Sequence, residues 1–96
     1  MPKQIQGLEK RVGSIIFVGT GKALDMEDLR VGDLVKVKKT DGTTITIKVD
    51  IIQEEETFLG TVEAIGPQPK LKTNGIECGD YVVENIAFVF EINRAT

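Results

Sequence analysis

The stretch VKVKKTDGTTITIKVDI, residues 35–51, decides the fold class. Its aliphatic residues, Val35, Val37, Ile45, Ile47, Val49 and Ile51, all stand at odd positions, with Lys36, Lys38, Thr44, Thr46, Lys48 and Asp50 between them. A period of two sends successive side chains to opposite faces, so this is the pattern of strands with one buried and one solvated face. The interruption Lys39-Thr40-Asp41-Gly42-Thr43 is a hairpin loop, and parity decides its length. A two-residue Asp-Gly loop would set Val37 against Thr46 and Val35 against Lys48, putting charge on the buried face. A three-residue loop, Thr40-Asp41-Gly42 with Gly42 left-handed, sets Lys39 against Thr43, Val37 against Ile45 and Val35 against Ile47. The second register is expected.

Parity extends the sheet downstream. Phe58, Val62 and Ala64 are even-numbered, so pairing Ile51 with Phe58 and Ile47 with Val62 keeps one face apolar. The connection is then a four-residue loop, Gln53-Glu54-Glu55-Glu56, whose glutamates make a solvated tip that discourages aggregation. Ser14-Ile15-Ile16-Phe17-Val18 is a short β-branched run expected to be a strand buried on both faces. Asp80-Tyr81-Val82-Val83 and Phe88-Val89-Phe90-Glu91-Ile92 are two more expected strands, with Phe88, Phe90 and Ile92 inward. Glu84-Asn85-Ile86-Ala87 reads as a single helical turn between them. A second short turn is expected at Met26 to Arg30, with Asp25 as N-cap and Glu27 and Asp28 at the positive end of the helix dipole, closed by Val31-Gly32-Asp33.

Five or six short strands with tight hairpins and one or two helical turns define an all-β chain, expected to form a small antiparallel barrel. An SH3-like topology, in which a strand meander is followed by a helical turn and a last strand, fits better than an OB-like one. Ninety-six residues suit one domain, expected over 13–96, with residues 1–12 as an N-terminal arm or extra edge strand. Arg30-Val31-Gly32-Asp33 and Glu77-Cys78-Gly79-Asp80 share a Gly-Asp entry into a strand, which hints at repeated local geometry.

Composition bounds function more by exclusion. Apolar residues at 41% and charged residues at 28% are those of a soluble globular protein, and no apolar run approaches the ~20 residues of a membrane span. The opening residues lack the apolar segment of a secretory signal, and one cysteine cannot form an internal disulfide, so a cytoplasmic location is expected. Phe17-Val18-Gly19-Thr20-Gly21-Lys22-Ala23-Leu24 resembles a phosphate-binding loop only superficially. Gly21-Lys22 is followed by Ala23 where the loop needs Ser or Thr, Ile16 stands where the first glycine belongs, and no long helix follows. Gly19-Thr20-Gly21 is therefore a turn, and no nucleotide is expected.

There is no histidine, which removes the usual general base near neutral pH and the commonest transition-metal ligand. Cys78, between Glu77 and Asp80, is expected to be a semi-buried residue at a strand entrance and not a nucleophile. Asp25, Glu27 and Asp28 lack the alternate spacing of a calcium loop, so no metal or other cofactor is expected.

Two surfaces could contact a macromolecule. Ile52 and Leu59 are expected side by side on the outward face near the acidic loop, and Pro67, Pro69 and Leu71 lie in the long segment 66–75, closed by an Asn-Gly turn. Lys36, Lys38 and Lys48 share the outward face of the first hairpin and, helped by Lys70 and Lys72, could serve nucleic acid. That face lacks stacking aromatics, there is no tryptophan, and the net charge of −3 divides into +3 over residues 1–39 and −6 over 40–96. The expected function is thus a non-enzymatic interaction module, an adaptor, assembly component or small inhibitor, contacting another protein or its own copy. A nucleic-acid-binding barrel is the alternative.

Overall fold

The computed structural model describes residues 2–10, 16–19, 29–53, 56–66, 72–73 and 75–94. Its centre is the hairpin anticipated from residues 35–51. β2 (Leu34–Lys38) and β3 (Thr44–Ile52) pair antiparallel with Val35 opposite Ile47 and Val37 opposite Ile45. The Lys39 N–H reaches the Thr43 carbonyl at 2.7 Å, and Gly42 closes the loop at φ 93°, the left-handed conformation that glycine enters without steric penalty. All six odd-numbered aliphatics except Ile51 are buried.

Around this pair the chain lays down β1 (Ile16–Gly19), β4 (Thr57–Gly66), β5 (Lys72–Thr73), β6 (Ile76–Glu77), β7 (Tyr81–Asn85) and β8 (Val89–Arg94). The main sheet runs β1-β8-β2-β3-β4-β7; every neighbouring pair is antiparallel except β1 with β8, which is parallel. The protein is all-β, with a five-strand antiparallel sheet from β8 to β7. The sheet is not closed: among the described residues β1 and β7 end it without pairing to each other, so the expected barrel is observed as an open sheet. β5 and β6 form a separate two-stranded ribbon, with Gly75 at φ 84° just before β6. Among the described residues no helix is long and apolar enough to cross a membrane.

One helical turn is present, starting two residues later than expected because Glu84 and Asn85 remain in β7, and it takes in Phe88. Ile86–Phe88 form a 3-10 turn between β7 and β8, capped by Asn85 Oδ1, which accepts the Ala87 N–H at 2.8 Å. The turn expected at Met26 to Arg30 falls largely outside the described residues, as do the Gly19-Thr20-Gly21 turn beyond Gly19, the acids Asp25, Glu27 and Asp28, and the side chains of β1.

The shared Gly-Asp entries adopt one geometry twice. Gly32 and Gly79 both sit at φ 95°, and Asp33 and Asp80 each accept, through Oδ2 at 2.9 Å, the N–H three residues earlier, of Arg30 and Glu77. Each turn also clasps a core strand. Gly32 N–H and Asp33 carbonyl bond Val49 in β3, while Gly79 N–H and Asp80 carbonyl bond Val62 in β4. Glycine at the third position supplies the positive φ that a type II turn demands, and the following Asp ties the turn to itself.

Parity fails at three β-bulges, where one strand carries an extra residue and its alternation is reset. In β4 the shift between Ile47–Val62 and Thr46–Ala64 leaves Glu63 unmatched, so Ala64 turns outward and Ile65 is buried opposite Ile45. In β3 the shift between Val49 and Ile51 leaves Asp50 unmatched, pairing Ile51 with Leu59 instead of Phe58. In β8 the shift leaves Phe90 unmatched, so Val89 and Ile92 enter the core and Phe90 does not. The core also takes Ile5, Leu29, Ile76 and Ile86 from outside the sheet's regular alternation.

β3 and β4 leave residues 53–56 between them, the four-residue connection expected. Gln53 N–H bonds the Thr57 carbonyl at 2.8 Å, one pair beyond Ile52–Phe58, and residues 54–55 lie outside the described residues. The last residue of the connection is Glu56 at φ 64°, where the first hairpin has glycine. A side chain in the left-handed region costs about 1–2 kcal/mol, and the Glu56 carbonyl, bonded by the Ile86 N–H at 2.8 Å, holds the backbone there. Glu56→Gly is therefore expected to stabilise the protein by about 0.5–1 kcal/mol, read as a rise in Tm of a few degrees, while Glu56→Val lowers it. A fall in Tm with glycine would contradict this assignment of strain.

Candidate functional site

Directly opposed residues on antiparallel strands share a face, so the ladder register maps the outer surface of the sheet. One row runs Leu34, Lys48, Thr61 and Tyr81 across β2, β3, β4 and β7; the next runs Ile51, Leu59 and Val83 across β3, β4 and β7. The Asp50 bulge creates the second row by rotating Ile51 outward. Asp50 is held there by its own side chain, whose Oδ2 accepts the Thr61 hydroxyl at 2.8 Å. Ile51 is 48% exposed, Tyr81 38%, and Leu59 between the flanking strands only 9%. The result is an apolar strip at one end of the outer face.

The pair expected at the acidic loop is thus divided. Leu59 is buried, and Ile52 does not stand beside it: Ile52 pairs with Phe58 on the inner face, at the rim of the core, where it is 45% exposed. The partner of Leu59 is Ile51. The signals were the doublet Ile51-Ile52, which breaks period two, and Gly60 nearby on the opposite strand, a usual companion of a bulge. Tyr81 and Val83 gave no comparable signal, because their face depends on which strand β7 joins. Pro67, Pro69, Leu71 and Lys70 lie outside the described residues, and Lys72 is placed by its backbone in β5.

Lys36, Lys38 and Lys48 do share the outer face, on the β2–β3 half adjoining the apolar strip. Lys36 is drawn to Glu91 of β8 at 3.1 Å, which neutralises part of the basic patch. Cys78 stands exposed in the turn before β7, not semi-buried as expected.

The N-terminal residues run across the sheet's open side. Lys3 joins β7 in parallel, its N–H bonding the Tyr81 carbonyl at 2.8 Å and its carbonyl accepting the Val83 N–H at 2.9 Å. Leu8 bridges Lys39 at the first hairpin. Between them Ile5 is buried, and its N–H donates at 2.7 Å to Glu84 Oε1. Burial pushes the Glu84 carboxyl up to about 7, against the opposing pull of that hydrogen bond. The arm's other anchor has the opposite electrostatics. Asp80 is held below the usual carboxylate range first by the Glu77 N–H and then by Lys3 Nζ, 2.9 Å away, which also donates to the Gly75 carbonyl at 3.2 Å.

Fold and surface together define a small all-β domain, an antiparallel sheet strapped by its own N-terminal residues, with an apolar strip beside a lysine-threonine face. No protein-family model, curated protein or solved structure matches the chain.

Proposed function

We propose that this chain is a non-enzymatic interaction module of SH3-like small-barrel architecture that acts by protein–protein contact, with its own copy as the contact to test first. The architectural reading draws support from the order β8-β2-β3-β4-β7, in which the final strand lies beside the first of the meander, and from the 3-10 turn that delivers it. The functional reading rests on one observation: Ile51 and Tyr81 are exposed on either side of buried Leu59, across three neighbouring strands. Apolar side chains grouped in this way are the centre from which interfaces are built, with polar residues as rim. Lys48 and Asp50 supply such a rim.

The double change Ile51→Ser with Tyr81→Ser removes the strip without touching the core. We expect wild-type protein to self-associate with concentration in sedimentation velocity, and the double variant to sediment as a monomer while its Tm stays within a few degrees. Association that survives the double change, or its absence in the wild type at millimolar concentration, would overturn the reading.

The lysine face supports nucleic-acid binding as a second reading, since Lys38 and Lys48 are exposed and have no acidic partner among the described residues. A single-stranded oligonucleotide titrated at low ionic strength decides this: binding through these lysines weakens steeply with salt, and no complex at low salt ends it.

A further inference from the structure

The first hairpin leaves a lysine where its pattern calls for an aliphatic. Lys39 continues the inner-face series after Val35 and Val37 and is only 4% exposed. Its burial is completed by the N-terminal arm: the Thr40 N–H bonds the Gly7 carbonyl at 2.9 Å and the Glu9 N–H bonds the Lys38 carbonyl at 2.8 Å, holding residues 7–9 against this end of the hairpin. Gly7, at φ 76°, makes the bend that brings the arm there. Among the described residues the Lys39 side chain has no ion pair and no hydrogen bond. It lines a cavity of about 200 Å³ together with Gln6, Gly7, Thr40 and Asp41.

A buried cation that makes no ion pair and no hydrogen bond is unfavourable, and a cavity beside it gives room for a partner. We propose that this cavity is a binding site for a small monocarboxylate, whose carboxylate group seats against the Lys39 ammonium. The choice of anion follows from Asp41, which also lines the cavity and accepts the Thr43 N–H through Oδ1 at 2.9 Å. Among the described lining residues Lys39 carries the positive charge and Asp41 the negative one, so a single negative charge is accommodated beside the lysine more readily than a dianion such as phosphate. The Thr40 hydroxyl and the Gln6 amide are further groups able to hydrogen-bond a carboxylate. Volume points the same way, since a cavity this size holds a molecule of a few heavy atoms and not a peptide or a nucleotide.

The site is separate from the outer-face strip, so its test is independent of the self-association experiment. Full-length ¹⁵N-labelled protein is titrated with sodium acetate, and in parallel with sodium phosphate, against sodium chloride at matched ionic strength. Acetate is expected to shift the amides of Gln6, Gly7, Thr40 and Asp41 saturably, with a dissociation constant on the order of millimolar, the range open to a ligand of about four heavy atoms. In Lys39→Met, which keeps the unbranched apolar stem, and in Lys39→Gln, those shifts are expected to fall at least tenfold in affinity. No saturable shift in the wild type, equal acetate affinity in a folded neutral variant, or tighter binding of phosphate than of acetate would each overturn the proposal.

Discussion

Gly60→Ala is expected to destabilise the protein by about 2–3 kcal/mol, the upper range for a small-to-large change at a close-packed position. Gly60 lies in β4 between Val49 of β3 and Val82 of β7, buried in the middle of the sheet. A Cβ built there would overlap the backbone carbonyl oxygen of Lys48 and stand 2.5 Å from Ile47 Cγ2. Glycine is required here for space and not for a special φ, since Gly60 is absent from the residues of positive φ. Rotation of a side chain could relieve the contact with Ile47, but the Lys48 carbonyl belongs to the neighbouring backbone. β3 and β4 must therefore separate where the Asp50 bulge already interrupts their ladder. In a domain of about this size the loss corresponds to a fall in Tm of roughly 10–20 °C. Denaturant unfolding of the variant checks it, and a change below about 0.5 kcal/mol would show that the strands yield at little cost.

The second large effect is on pH dependence. Glu84 projects to the inner face opposite Phe58, is 3% exposed, and finds there the Ile5 N–H. Its carboxyl is pushed up to about 7 by burial, from an ordinary value of 4.5. The folded protein thus binds this proton more tightly than the unfolded chain does. The linked stability is fully present below about 4.5, declines as pH rises, and is lost above about 7, where the folded state carries a buried charge. After allowance for solvent screening, the difference is about 2 kcal/mol. Glu84→Gln keeps an oxygen for the Ile5 N–H and removes the charge. We expect it to raise stability at pH 8 by about that amount, change little near pH 4.5, and abolish the intervening slope. Asp80 acts in the opposite sense at lower pH: its carboxyl is depressed, so its contribution is present above its ordinary value of 3.8 and lost as pH falls below it. A wild-type Tm that is level from pH 4.5 to 8, or a Gln variant weaker at pH 8, would show that Glu84 is not held as the structure indicates.

Glu84 and Lys39 show where local pattern stops determining structure. Glu84 stands in Tyr81-Val82-Val83-Glu84-Asn85, where alternation makes Val82 and Glu84 share a face, but a glutamate on a buried face is ordinarily grounds for ending the strand one residue earlier. What makes it tolerable is the Ile5 N–H, seventy-nine positions away in the chain. Lys39 is similar: its inward direction follows from the hairpin register, and its burial follows from the arm that crosses it. Alternation from residues 58–64 puts Ile52 beside Leu59, the place that the Asp50 bulge gives to Ile51.

The sequence alone determined whatever depends on neighbours in the chain. The alternation of residues 35–51, the three-residue loop closed by Gly42, a helical turn before the last strand and the twin Gly-Asp entries all rest on period, turn chemistry and the conformational freedom of glycine, which act over a few residues. Only the tertiary structure decided the bulges at Asp50, Glu63 and Phe90, and the course of the N-terminal arm over Lys39 and Glu84. A bulge forms where sheet twist and packing across strands outweigh strict alternation, and an arm docks where distant backbone groups need partners. Both are energies of contact between remote segments, which no local window contains.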